Sequence, residues 1–177
     1  MTSDFTQDYF ALFGMPRRFG LDTAELERLF RELQARVHPD RHVSLSEAEQ
    51  RLAMQWSTQA NEAYQTLRHP LKRAKYLLQL AGADVQLESN TTMPHEFLLR
   101  QMEWREAVEE TRSAGDIQAL EHLHRRIKQE MTEQYRKLES HLDVERDHQA
   151  AVATVRQMMF QEKLLQDVDE ALSALEA

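Results

Sequence analysis

The chain has 177 residues and a formal net charge of −8, with 41% hydrophobic residues, four Gly, four Pro and no Cys. That length allows one large domain or two small ones, and the lack of Cys excludes disulfides, thiolate zinc sites and cysteine nucleophiles. Leu, Ala, Glu, Gln and Arg dominate over β-branched and aromatic residues, which favours an all-α protein.

The charge is unevenly shared. Residues 1–80 carry 11 basic and 10 acidic side chains, whereas residues 81–177 carry 11 and 20. This suggests two halves with different partners, and the acidic half argues against nucleic acid as the main ligand. The N-terminal stretch has acids and no basic or apolar targeting pattern, and no run of 18 apolar residues occurs. A soluble cytoplasmic protein is the expectation.

In chain order, residues 8–13 read as a short helix ended by Gly14, with Pro16 beyond. Asp22 can cap a second helix running to about Val37, with Leu26, Leu29, Phe30, Leu33 and Val37 on one face. Pro39 stops it, because proline lacks an N–H and restricts His38 to extended geometry. Ser46 and Glu49 form a capping-box signature for a third helix. Its expected stripe is Ala48, Leu52, Trp56, Ala60, Ala63, Tyr64 and Leu67. Pro70 opens a short helix through Leu80, closed by Gly82. Residues 83–93 lose the period and read as a linker between a first domain, 1–82, and a second, 94–177. Pro94 suits the first turn of a helix that ends at Gly115. Asp116 can cap the next helix, with Ile117, Leu120, Ile127, Met131, Leu138 and Leu142 on one side, and Asp143 the last. Three long helices with short connections predict an antiparallel bundle.

His38-Pro39-Asp40, between two such helices, resembles the loop of a J-domain, the module that stimulates ATP hydrolysis in DnaK-type chaperones. The flanks agree, with Asp8-Tyr9-Phe10-Ala11-Leu12-Phe13-Gly14 before and Asn61-Glu62-Ala63-Tyr64-Gln65-Thr66-Leu67 after. The resemblance covers roughly residues 5–78 and implies a chaperone-binding surface at His38, Pro39 and Asp40. A carboxylate at Asp40 suits a charge-assisted bond to an arginine across the interface, and Pro39 lowers the entropy cost of docking. Arg28 and Arg31 point away from the apolar face of the second helix, Arg36 lies at its flank and Arg41 follows the turn. Such a basic strip steers an acidic partner, although Glu25, Glu27 and Glu32 dilute it.

The fifth helix has an odd distribution. Phe97, Trp104 and Val108 make a sensible core stripe, yet Leu98, Leu99 and Met102 lie off it, with Arg105, Glu106 and Glu109 around them. Phe160 is similarly offset from an expected stripe of Val152, Val155 and Met159. Either the core is wider than one stripe, or these residues form an exposed apolar patch with a charged rim, as protein-binding sites do. The segments 66–78, 97–106 and 155–164 resemble the HscB family, co-chaperones of iron–sulfur cluster assembly. That resemblance implies a C-terminal bundle binding the scaffold IscU through Leu98, Leu99, Met102, Glu103, Glu106 and Phe160. It also implies a J-domain engaging the DnaK-type chaperone HscA. Met102 stands where a leucine is common, a volume-conserving change. The Cys-rich metal module of some eukaryotic relatives has no counterpart here, so neither a metal nor a cofactor is expected.

An enzyme is not expected either. There is no His-Glu-x-x-His run, Gly-rich phosphate loop or nucleophile elbow. His122, His124, His141 and His148 are candidates for phosphotransfer, but nothing marks one of them. Two alternatives remain at this level: a general J-protein with another client, and a helical adaptor or phosphotransfer module.

Overall fold

The computed structural model of the chain describes residues 7–37, 46–83, 85 and 95–176. All regular elements among them are helical. They are α1 (Tyr9–Leu12), α2 (Thr23–Val37), α3 (Glu47–Arg68), α4 (Pro70–Leu80), α5 (His95–Ala114), α6 (Ile117–Glu139) and α7 (His148–Glu176). The chain divides into two compact units, Met1–Leu77 and Leu78–Ala177, a division that falls within α4. Most of the expected linker, Pro94 and the His38-Pro39-Asp40-Arg41 turn lie outside the described residues.

In the first unit, the starts of the helices follow the local signals. Asp8 Oδ1 accepts from the amides of Phe10 and Ala11 at 2.9 and 3.1 Å, so it caps α1. Asp22 Oδ1 accepts from Ala24 and Glu25 and caps α2. Ser46 and Glu49 close the expected capping box on α3. The capped helices enclose an aromatic core. Phe10 and Leu26 are fully buried, and Phe30 stacks on Tyr64 at 4.1 Å with planes 6° apart. Tyr9 stacks on Tyr76 at 4.4 Å and donates its backbone N–H to the Tyr76 hydroxyl, which ties α1 to α4. Each large ring buries more apolar area than an aliphatic side chain, so a few of them fill much of this core.

Arg73 carries a feature that periodicity does not show. It is 5% exposed, and its guanidinium donates to the Leu67 carbonyl at 2.6 Å and lies over the Phe19 ring at 4.9 Å. It thereby satisfies one of the last carbonyls of α3 and holds the segment before α2 against the α3–α4 corner. The stripe expected on α3 is also corrected at its start. Ala48 and Leu52 are exposed and Ala53 is buried in their place, while Ala60, Ala63, Tyr64 and Leu67 are buried as expected. The buried arc of a helix follows its neighbours, and a one-residue step moves a side chain 100° around the axis.

The second unit is a bundle of α5, α6 and α7, in which α6 packs along α7 and α5 touches both. Gly115, at φ 65°, supplies the left-handed residue that turns α5 into α6, with the Asp116 amide returning to the Thr111 carbonyl at 3.1 Å. Asp116 caps α6 through the Ala119 amide, as expected. Asp143 does not cap α7. It lies in a π-helical turn, Ser140–Glu145, held by Glu145, whose carboxylate accepts from the Ser140 hydroxyl and meets His141. The chain reverses only at Arg146, at φ 54°, and Asp147 is the cap, accepting from the Ala150 amide at 3.0 Å. The wider coil carries Leu142 and Asp143 on as helix, so the break comes four residues later. On α7 the buried line runs through Ala151, Val155, Met158, Leu164 and Val168, and Val152 and Met159 are only partly covered. Contact with two neighbours widens and shifts the buried arc from the expected stripe.

Candidate functional site

Two surfaces carry the residues singled out from the sequence. The first is the outer face of α2. Arg28, Arg31 and Arg36 are exposed there, as the helical period predicts. The first two are matched within their own helix. Arg28 holds Glu25 at 2.6 Å and pairs with Glu32, and Arg31 pairs with Glu27. These are i,i+3 and i,i+4 contacts on the surface, so they fix side-chain direction more than they stabilise the fold. The Arg28 guanidinium, bonded first of all to Glu25, depresses the Glu25 carboxyl below its ordinary range. The basic strip is thus a row of alternating charges leading toward residues 38–41, themselves outside the described residues.

The second surface lies on α5. Phe97, Trp104 and Val108 face the core, with exposures of 8%, 4% and 7%. Leu98, Leu99 and Met102 stand outside at 42%, 47% and 59%. A wider core therefore does not account for the second apolar stripe. Leu98 and Met102 are four residues apart, Leu99 and Met102 three, so they adjoin on the helix surface. Glu103 and Glu106 continue the Leu99–Met102 row and are exposed. Phe160 comes from α7 and is half-buried. Its ring lies 6.1 Å from that of Phe97 at 84°, an edge-on contact that brings it to the flank of α5. Arg105 lies over the Phe160 ring, 5.2 Å from its centroid. An Arg100–Glu130 contact at 4.0 Å links the same helix to α6. The six expected scaffold-binding residues therefore divide into five on one exposed helix face and one brought in by α7.

Among the described residues, no group of His, Asp and Glu side chains could hold a metal ion. His124 Nε2 lies 3.1 Å from Asp169 across α6 and α7, and His141 Nδ1 lies 3.1 Å from Glu145. No described helix is long and apolar enough to cross a membrane.

The chain is similar to known proteins along nearly its whole length. The model described as the HSCB C-terminal oligomerisation domain matches residues 93–169, which include the α5 patch and Phe160. The chain is 52% identical over 176 residues to the co-chaperone protein HscB homolog of Azoarcus sp. (strain BH72), covering 99% of each. The chain belongs to the HscB family. Among solved HscB structures, that of chaperone HscB from Vibrio cholerae is 35% identical, with a TM-score of 0.83 over 96% of this chain and 99% of the other. The human co-chaperone protein HscB is 30% identical, with a TM-score of 0.88 over 95% of this chain and 83% of the human one. The all-α architecture of an N-terminal J-domain hairpin followed by a helical bundle is therefore that of HscB co-chaperones.

Proposed function

We propose that the chain is a two-site adaptor for iron–sulfur protein maturation in the cytoplasm. The bundle captures a cluster-bearing scaffold of the IscU type on Leu98, Leu99, Met102, Glu103, Glu106 and Phe160. The J-domain delivers that scaffold to an HscA-type chaperone through α2 and the His38-Pro39-Asp40-Arg41 turn, and stimulates the chaperone's ATP hydrolysis. The chain hydrolyses no ATP itself. The observation that carries this reading is the uncovered apolar group on α5, rimmed by carboxylates and extended by a ring from α7. A helix that needs only to pack in its own bundle has no use for three such side chains in water. They offer apolar anchors, and the rim glutamates set orientation and reject partners of like charge.

The test is ATP turnover by an HscA-type chaperone with the chain present, with and without scaffold. Stimulation that rises further with scaffold and disappears in Asp40→Asn is the expected result. Stimulation indifferent to scaffold would leave the J-domain assignment standing and give the bundle another client. No stimulation in either case would remove the reading.

A further inference from the structure

We infer that Arg105 is a positioning residue that fixes the Phe160 ring as part of the α5 binding surface; this rests on the scaffold-binding reading above. Three observations support it. Phe160 is only half-buried and meets the core edge-on at Phe97, so the core does not fully enclose its ring. Arg105 covers that ring with its guanidinium 5.2 Å from the centroid. Arg105 makes no ion pair among the described residues, although Glu109 stands four residues on, at the spacing for one. The guanidinium therefore lies on the aromatic face in preference to a neighbouring carboxylate.

The geometry also makes Arg105 a bridge. It is three residues from Met102 and seven from Leu98, on the same side of α5. Its methylene stem continues their apolar row while its planar head ends on Phe160. Two groups 58 residues apart, Met102 and Phe160, thus become one surface before a partner arrives. A ring held in its bound position loses less freedom on association, which is how a contact within the free protein raises affinity.

A cation–π contact at an exposed site corresponds to a change of about two- to fivefold in affinity. Arg105→Ala should weaken scaffold binding by about that factor, with the thermal unfolding midpoint of the free chain unchanged. Arg105→Lys should recover part of the loss, since a point charge stacks less well than a planar fork. In a Phe160→Ala background Arg105→Ala should cost nothing further. An equal loss in both backgrounds would mean that Arg105 touches the partner directly, and the inference would be wrong. So would the absence of any loss. A partner-free measurement decides independently: in the aromatic NMR spectrum of the free chain, Arg105→Ala should shift the Phe160 ring signals. Unmoved ring signals overturn the inference. If the unmodified chain fails to bind scaffold, the reading of the patch falls, and the ring signals still decide whether Arg105 positions Phe160.

Discussion

The two units solve opposite problems. The first builds its core from rings: Phe10, Phe13, Phe30 and Tyr64 meet among its helices, with Tyr9 and Tyr76 closing one end. The second is lined mostly by aliphatic residues such as Leu120, Ile127, Leu138, Val155 and Val168, with Phe97 and Trp104 among them. Their surfaces differ in the opposite sense. On α2 the charges are matched within the helix, by Glu25 and Glu32 on Arg28 and by Glu27 on Arg31. On α5 the apolar side chains of Leu98, Leu99 and Met102 stay in water. The unit with the aromatic core thus exposes a charged face whose internal pairs temper electrostatic steering. The unit with the aliphatic core exposes an apolar face suited to anchoring a partner.

The strongest test of this division is Phe10→Ala, which removes a fully buried ring at a cost of about 3–5 kcal/mol. Amide hydrogen exchange should show loss of protection across α1, α2 and α3 with α6 and α7 unmoved. Equal loss in both would show that the units unfold as a single block and that the contrast is only one of composition.

Next come Leu98→Ala and Met102→Ala. Each should weaken scaffold binding by about 1–2 kcal/mol, measured by titration calorimetry, and leave scaffold-free ATPase stimulation unchanged. A loss of stimulation without scaffold would join the two surfaces and end their separation.

A smaller effect is expected at Asp8. Burial pushes its carboxyl up, but the Arg17 bond and the α1 amides outweigh this, so its pKa lies below the ordinary value of 3.8. A depressed carboxyl contributes stability at neutral pH that is lost as pH falls below about 4 and through the folded-state value. Asp8→Asn, which keeps a capping oxygen and loses the charge, should cost under about 1 kcal/mol at pH 7. The difference from the parent, followed by urea unfolding, should shrink toward pH 3. A constant difference over that range would assign the effect to the cap alone.

The smallest change should follow Glu25→Gln with Glu32→Gln. Arg28 is then unmatched, so association with the chaperone should become faster and more salt-dependent, with little change in unfolding midpoint. A rate insensitive to both substitutions would mean that α2 does not steer the encounter.

Much of this was legible in the residues. Caps at Asp22, Ser46 and Asp116 act within three residues of themselves, so their chemistry reads directly from the chain. The second stripe on α5 was visible because Leu98, Leu99 and Met102 do not fit the period of Phe97, Trp104 and Val108. On α7, Val155 is buried as expected, but Ala151 and Met158 take the places of Val152 and Met159, since two neighbours rather than one define its buried arc. Asp143 was misjudged because Glu145 binds back to Ser140 and His141 and carries the helix past it. Arg73 gave no signal at all, since a lysine- and arginine-rich helix start looks solvated until Leu67 and Phe19 are placed around it.

By itself the sequence determined an all-α chain, the starts of α2, α3, α4 and α6, and a face of α5 with more apolar groups than packing requires. Those properties depend on φ preferences, local hydrogen bonds and a 3.6-residue period, all of which act over one or two turns. Only the tertiary structure decided that Phe160 meets Phe97 and Arg105, and that Arg73 is buried. Contacts between residues far apart in the chain depend on how whole helices pack, and no local rule contains that information.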